Sequence, residues 1–211
     1  MLSGDATTER GVMPAEPQPV VRAAVPADAG PVAAIFAHYV ATSVATFEEV
    51  APTAADWRQR LGELAARNLP FLVAEAAAAG GGVAGGSGSV CGFAYASPWR
   101  PKSAYRHTVE DTVYLDPEWT GRGIGTALLT ELLRRCAETG VRQVIAVIAD
   151  TGTPASAALH DYLGFAEVGK LPKVGCKHGR WIDTVLMQKD LTDGPGNRVR
   201  EQGEQSEAPR L

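Results

Sequence analysis

The sequence predicts a single folded domain of the α/β class, and three observations indicate this. The chain has 211 residues, of which 45% are hydrophobic, so it can bury one substantial core. Runs of β-forming residues alternate with segments of helical periodicity, a pattern typical of a sheet covered by helices. In the middle of the chain, a β-forming run leads through a glycine-rich turn directly into a helical pattern. We expect the domain to span residues 20–191, between disordered tails over residues 1–19 and 192–211.

The first half of the chain predicts a strand, two helices and two further strands. A short strand over residues 20–24 precedes a helix that begins at Pro26 and keeps apolar residues at helical spacing as far as Val40. Thr53 is a favoured N-terminal cap for the second helix, which ends at Asn68. An antiparallel hairpin is expected next. Its strands span residues 71–75 and 91–96, and an Ala- and Gly-rich loop over residues 76–88 joins them.

The glycine-rich turn is the segment on which the functional prediction depends. Residues 112–115 are β-formers, and the Asp-Pro pair at 116–117 ends their run. Gly121, Gly123 and Gly125 follow at a spacing of two, so backbone N–H groups can point together at a bulky anion without a Cβ in the way. The helix after them adds the positive end of its dipole. We therefore expect this loop to bind phosphate.

Two common kinds of phosphate loop do not fit the sequence. A Walker loop requires Gly-Lys-Ser/Thr, whereas Gly125 is followed by Thr126 and Ala127. A dinucleotide fingerprint requires a third glycine three residues after the second and an acidic residue about 20 residues further on, and neither is present. The ligand must therefore be identified from the rest of the chain.

The second half predicts a helix, a buried strand, a short helix and two closing strands. The helix ends near Gly140 and carries one apolar face, formed by Leu128, Leu129, Leu132, Leu133 and Cys136. Residues 144–149 show no polar alternation and are expected to form a strand buried on both faces. The short helix is expected over residues 154–163, and the closing strands over about 167–174 and 181–191.

Composition and charge exclude several classes of protein. The net charge of −4 predicts no basic surface for nucleic acid. The N-terminus has no basic start followed by an apolar run, and no apolar run approaches 18 residues, so we expect a cytoplasmic protein without membrane contact. Cys91, Cys136 and Cys176 have no CxxC spacing and are expected to be small buried residues, and no metal site is expected. Trp57 and Trp181 are expected in the core.

The glycine loop resembles the pyrophosphate loop of the GNAT superfamily of acetyl-CoA-dependent N-acetyltransferases. Thr120 stands where that pattern usually has Gln or Arg, which removes one side-chain contact but leaves the backbone cradle. The order of the predicted elements is also that of the GNAT fold. The resemblance therefore implies a mixed central sheet of about seven strands flanked by four helices, with acetyl-CoA as co-substrate.

Further motifs narrow the resemblance to the phosphinothricin N-acetyltransferase family, which includes relatives acting on methionine sulfoximine and methionine sulfone. They cover residues 46–48, 97–101, 105–110, 156–160, 163–165 and 174–183. The resemblance implies transfer of acetyl to the α-amine of a small amino-acid analogue, in detoxification or resistance, by a homodimer. Two alternatives stay open, which are acetylation of another small amine or a protein N-terminus, and a non-catalytic acyl-CoA-binding module.

The resemblance also assigns roles to two titratable residues. An α-ammonium group must lose a proton before it can attack a thioester, and Glu110 is the best-placed carboxylate for this task. The alternative for Glu110 is a structural carboxylate at a strand end. Asp111 points to the opposite face of the same strand and is expected to be solvated or structural. His160 stands where many GNAT enzymes have the tyrosine that serves the departing thiolate. The alternative for His160 is a histidine packed on the helix that borders the co-substrate.

The remaining candidate residues fall into two groups. Acetyl-CoA is expected to contact the end of the central strand, the glycine loop and one threonine beyond the next strand, namely Val113, Tyr114, Leu115, Gly121, Arg122, Gly123, Ile124, Gly125, Thr126 and Thr153. The acceptor is expected to contact aromatic and guanidinium groups, which exclude water and bind carboxylate or phosphinate oxygens, namely Phe47, Trp99, Arg100 and Arg106.

Overall fold

A mixed sheet of seven strands forms the centre of the molecule. The computed structural model describes residues 19–76 and 89–192. The strands are β1 (Val20–Ala23), β2 (Phe71–Glu75), β3 (Val90–Pro98), β4 (Thr108–Leu115), β5 (Gln143–Ala149), β6 (Ala166–Lys177) and β7 (Arg180–Asp190). Their order across the sheet is β1-β2-β3-β4-β5-β7-β6, and of these described strands only β4 and β5 pair in parallel.

Four α-helices cover the sheet, as the sequence predicts. They are α1 (Ala29–Thr42), α2 (Ala54–Ala66), α3 (Ile124–Glu138) and α4 (Ala155–Tyr162). The predicted cap of α2 is confirmed, because the Thr53 hydroxyl accepts the N–H of Asp56 at 3.3 Å. The predicted tails and the Ala- and Gly-rich hairpin loop lie, apart from their end residues, outside the described part of the chain.

The sheet separates two hydrophobic cores. On one face, α3 buries Leu128, Leu129 and Leu132 completely, together with β-strand residues such as Val144. On the other face, α1 and α2 pack on β2, β3 and β4 around Trp57, which is 1% exposed. Burial of each such large side chain stabilises the fold by roughly 1.5–3 kcal/mol. The two cores therefore fix β4 from both sides.

The prediction that the strand over residues 144–149 is buried on both faces was wrong for its second half. Val144 and Ala146 are buried against the α3 side, but Val147 is 40% exposed. Val147 points to the opposite face, where α1 and α2 pack on β2, β3 and β4. The far half of β5 therefore lies beyond the cover of these two helices.

Two further expectations of burial, both for residues of the closing hairpin, were wrong. Cys91 and Cys136 are buried as predicted, but Cys176 is exposed on β6. Trp57 lies in the core, whereas Trp181 on β7 is 67% exposed. Cys176 and Trp181 are cross-strand partners near the tip of the β6–β7 hairpin. Strand alternation turns Cys176 away from the side of Lys177, whose side chain reaches the end of α1. Within the described ranges, no helix has the length and apolar character needed to cross a lipid bilayer.

Candidate active site

The two parallel strands at the centre of the sheet separate where the predicted site residues lie. Among the described residues, β4 and β5 pair only over Thr108–Glu110 against Gln143–Ile145. Beyond that point β4 continues to Leu115 paired with β3, and β5 continues to Ala149 paired with β7. Their facing edges therefore bound a cleft at the carboxyl ends of two parallel strands, the usual position for a ligand in an α/β sheet.

The glycine loop follows β4 directly and opens α3. Gly121 and Gly123 have φ values of +74° and +77°, which glycine adopts without strain, and a Cβ built at either position would meet open space. Within the described structure, no side chain caps the N-terminus of α3. The first N–H groups of α3 and its positive dipole end therefore face an open concavity, which fits a pyrophosphate group.

Two side chains near the loop are held by local contacts. The Thr120 hydroxyl donates to the Pro117 carbonyl at 3.0 Å, which ties Thr120 to the turn before the loop. The Arg122 guanidinium carbon lies 4.8 Å from the centroid of the Trp119 ring. The Thr120 contact therefore supports the loop backbone at the position where the pyrophosphate-loop pattern usually has Gln or Arg.

Glu110 lies at the point where β4 and β5 part. It is half-buried, and strand alternation turns it towards the α1 and α2 side, away from its neighbours Val109 and Asp111. Burial raises the pKa of Glu110, the charge of Asp111 raises it further, and Arg100 lowers it. A carboxylate with a raised pKa is suited to accept a proton from an ammonium group near neutral pH.

Arg100 and Arg106, predicted together as acceptor ligands, differ in their surroundings. Arg100 acts on the Glu110 carboxylate electrostatically, and its guanidinium carbon lies 4.5 Å from the centroid of the Trp99 ring. Arg106 is exposed, and its Nη1 donates to the Ser103 carbonyl at 3.4 Å. The charge of Arg100 therefore acts on Glu110 while its guanidinium stacks on Trp99, and Arg106 supports its own turn.

His160 and Asp111 form a buried pair on the other face of β4. The two side chains are 3% and 2% exposed, and His160 Nε2 lies 3.0 Å from Asp111 Oδ2. His160 Nδ1 donates to the Ser156 carbonyl at 2.7 Å. Burial alone lowers the pKa of His160, but the Asp111 hydrogen bond and charge, together with the Ser156 carbonyl, raise it overall.

This pairing favours the packed alternative for His160 over direct contact with a reactant. Both ring nitrogens are engaged, and the ring also packs edge-on against Phe165 at 4.9 Å between centroids. Of the two expectations for Asp111, solvation was wrong and a structural role is supported. Strand alternation could have indicated that Asp111 needs a buried hydrogen-bond donor, because a carboxylate turned towards the core requires one, but it does not identify His160 as that donor.

The end of β4 is tied to α1 and to the loop after it. The Tyr39 hydroxyl donates to the Leu115 carbonyl at 2.7 Å, and the Tyr114 hydroxyl donates to the Ala45 carbonyl at 3.0 Å. At the end of β5, the hydroxyl oxygens of Thr151 and Thr153 lie 3.2 Å apart in the exposed turn before α4. Thr153 thus stands on the β5 side of the cleft, opposite the glycine loop.

A cavity of about 370 Å³ lies on the Glu110 face of the sheet. Its lining includes Glu48, Arg60, Tyr95 and Ser97. Ser97 is the direct cross-strand partner of Glu110, and such partners have Cβ atoms about 4.5–5.5 Å apart. The cavity therefore lies beside the cross-strand partner of the proposed proton acceptor, and Glu48, the residue after Phe47, forms part of its wall.

Comparisons with known proteins agree with this geometry. The model of the acetyltransferase (GNAT) family matches residues 33–165. A phosphinothricin N-acetyltransferase of Alcaligenes faecalis is 43% identical over 190 residues, which are 90% of this chain and 91% of that protein. An L-methionine sulfoximine/L-methionine sulfone acetyltransferase of Pseudomonas paraeruginosa is 35% identical over 81% of this chain and 94% of that protein.

A solved structure extends the agreement to three dimensions. The crystal structure of a GNAT superfamily phosphinothricin acetyltransferase from Sinorhizobium meliloti in complex with acetyl-CoA matches with a TM-score of 0.77 and 40% identity. The match covers 89% of this chain and 96% of that one. The predicted fold and the predicted enzyme class are confirmed. The chain therefore belongs to the acetyltransferase (GNAT) family, as an acetyl-CoA-dependent N-acetyltransferase.

Proposed function

We propose that this enzyme transfers acetyl from acetyl-CoA to the α-amine of a small amino-acid analogue, with phosphinothricin, methionine sulfoximine and methionine sulfone as the acceptors to test. The single observation that carries the proposal is Glu110, a half-buried carboxylate of raised pKa at the point where β4 and β5 part. The names of the relatives support this class of acceptor. Acetylation of such analogues would remove a toxic amine.

The donor would be held along one side of the cleft. Acetyl-CoA supplies an activated acetyl group as a thioester. The backbone N–H groups of residues 121–126 would bind its pyrophosphate, and the free edge of residues 113–115 would lie along its pantetheine arm. A backbone N–H of that same edge would donate to the oxygen on which negative charge develops. Thr153 offers a hydroxyl from the β5 side.

Glu110 would act as the general base, directly or through one water. An amino-acid amine is protonated at neutral pH and has no free lone pair, so a proton must be removed before attack. The raised pKa makes the Glu110 carboxylate a stronger base than an exposed glutamate. His160 enters the proposal as the residue that holds α4 against β4 through Asp111, with its ring fixed within α4 by the Ser156 carbonyl.

Arg100 would bind the carboxylate of the acceptor. The charge of Arg100 lowers the pKa of Glu110, so an amino acid that presents its amine to Glu110 would direct its carboxylate to this forked donor. Phe47 and Trp99 would form apolar walls of the same site, with Arg106 at its outer rim.

A homodimer is proposed as the working form. Four large apolar side chains of the β6–β7 hairpin are at least 42% exposed, namely Val168, Leu171, Val174 and Trp181. Exposed apolar groups concentrated on one hairpin are typical of an interaction surface. A cytoplasmic location and the absence of nucleic-acid and membrane partners stay predictions from the sequence.

The test is release of CoA thiol by the purified full chain. The panel contains free amino acids, their sulfone, sulfoximine and phosphinate analogues, simple amines without a carboxylate, and a peptide with a free N-terminus. Turnover confined to amino-acid analogues and abolished in Glu110→Gln supports the proposal. Turnover of the peptide alone would replace it with N-terminal acetylation, and acetyl-CoA binding without turnover would favour a binding module.

A further inference from the structure

We propose that Lys177 is a positioning residue for the acceptor side of the active site, and this rests on the function proposed above. Lys177 ends β6 and is only 2% exposed. Its ammonium group donates to the backbone carbonyls of Ser43 at 2.8 Å and Thr46 at 2.9 Å, with the Tyr39 carbonyl at 3.5 Å. A charged group this deeply buried requires several such partners, because its desolvation is otherwise unfavourable.

The carbonyls that Lys177 binds belong to the end of α1 and the loop that follows. The Tyr39 carbonyl, in the last turn of α1, also accepts the Ser43 N–H at 3.0 Å. The negative end of the α1 dipole lies here, so a buried cation is stabilised. Residues 43–47 form the loop that follows this helix end, and Phe47 is its last residue. Lys177 therefore joins the C-terminal hairpin to this loop, which is distant in sequence.

The same loop is held from the β4 side. The Tyr114 hydroxyl donates to the Ala45 carbonyl at 3.0 Å, from a strand position four residues beyond Glu110. Within the loop, the Ala45 N–H donates to the Ser43 hydroxyl at 3.0 Å. The loop thus bridges β6, through Lys177, and β4, the strand that carries the proposed general base.

Phe47, at the end of this loop, interlocks with β6 two residues before Lys177. A Cβ built on Gly175 would lie 2.3 Å from Phe47 Cε2, so the ring occupies space that only glycine leaves free. Phe47 is still 40% exposed, and the next residue, Glu48, lines the cavity beside Ser97. The position of Phe47 relative to Glu110 is therefore set by Lys177 and Gly175, and we infer that these two residues shape the acceptor pocket.

The first test replaces the ammonium group and retains the length of the side chain. In Lys177→Met, amide hydrogen exchange over residues 43–48 should become faster, because two loop carbonyls lose their donor. Acceptor kcat/KM should fall on the order of 10²-fold, as expected for a displaced binding group. The acetyl-CoA KM should not change, and Lys177→Arg should recover part of the loss.

Two further variants control for general destabilisation. Lys170→Met removes an exposed lysine of the same strand, paired with Asp183 at 2.9 Å, and should change neither exchange of residues 43–48 nor acceptor kcat/KM. Gly175→Ala leaves Lys177 intact and displaces the Phe47 ring. It should reproduce the loss of acceptor kcat/KM, even if Lys177→Met does not fold.

The outcomes separate this proposal from the proposed function. Unchanged exchange in a folded Lys177→Met, or equal losses for donor and acceptor, would overturn the positioning role. A normal acceptor kcat/KM in Gly175→Ala would overturn it as well. Exchange is measured without an acceptor, so a parent enzyme that acetylates no amino acid would sink the proposed function alone, while the exchange data still report on Lys177.

Discussion

At the scale of single residues, Glu110 is the group whose removal should affect the chemical step most directly. Glu110→Gln keeps the size of the side chain and removes the base, so kcat should fall by about 10²–10⁴ while acetyl-CoA affinity is retained. The raised pKa of Glu110 means that parent activity should rise with pH above the range of an ordinary carboxyl group. This rise in activity on the acidic side of the pH profile should vanish in Glu110→Gln.

Steady-state kinetics across pH, with acetyl-CoA binding by calorimetry, check this prediction. Glu167→Gln, an exposed glutamate of β6, is the matched control and should behave as the parent does. A Glu110→Gln enzyme within about twofold of the parent at every pH would assign Glu110 a structural role.

Arg100 should decide how strongly a carboxylate-bearing acceptor binds. Arg100→Ala should raise the KM of such acceptors by a free energy on the order of 2–5 kcal/mol if the pair is buried in the complex. Arg100→Lys should recover only part of this, because an ammonium group cannot make the forked contact. Acceptors without a carboxylate should be indifferent, and equal losses for both kinds of acceptor would show that Arg100 merely supports its loop.

Arg100→Ala should also shift the pH profile of kcat/KM. Arg100 lowers the pKa of Glu110, so its loss should displace the acidic limb of kcat/KM to higher pH. Arg106→Ala is the control, since Arg106 contacts the Ser103 carbonyl and should leave that limb in place.

Substitution of His160 should lower the free energy of unfolding. Removal of one member of a buried ion pair leaves the other without compensation, which costs about 3–5 kcal/mol. Because the pKa of His160 is raised, its contribution should be fully present below the ordinary histidine pKa of about 6.5 and lost as pH rises through the folded-state value.

Urea unfolding of the parent and His160→Gln between acidic and mildly alkaline pH measures this contribution. The difference in the free energy of unfolding should be largest at the acidic end. His38→Gln, which changes an exposed histidine on α1, should show no such difference. A difference in the free energy of unfolding that grows with pH would contradict a charged His160–Asp111 pair.

At the scale of elements, the N-terminus of α3 should determine donor binding. Gly123→Asp places a carboxylate where the pyrophosphate is expected and should abolish acetyl-CoA binding in calorimetry. Gly140 offers a matched control, because it follows the other end of α3 with φ +83° and a Cβ there would also meet open space. Gly140→Asp should cost similar stability and keep acetyl-CoA affinity, whereas unchanged affinity in Gly123→Asp would refute the loop assignment.

At the scale of the whole molecule, the β6–β7 hairpin should set the oligomeric state. We expect the parent to sediment as a dimer and Trp181→Ser, which removes a 67% exposed indole, to shift the equilibrium towards monomer. Val20→Ser changes another exposed apolar side chain, on β1 at the opposite edge of the sheet, and should leave the dimer intact. A monomeric parent at all concentrations would leave the exposed hairpin without this explanation.

The sequence by itself determined the order of the elements and the family, and it located the glycine loop whose binding of phosphate stays a prediction. Helix caps, strand alternation and glycines at positive φ act within a few residues, so Thr53 and the Gly121–Gly125 loop could be recognised from their neighbours alone. Strand alternation also placed Glu110 and Asp111 on opposite faces of β4 correctly. These signals are local, and local signals can be read from the sequence.

Only the tertiary structure decided which side chains meet. Asp111 and His160 are 49 residues apart in the chain, and Lys177 and Thr46 are 131 apart. The separation of β4 from β5 and the exposure of Val147 likewise depend on how helices and strands pack across the sheet. No local pattern specifies such partners, because the free energy that selects them comes from burying polar groups and apolar surface between elements distant in sequence.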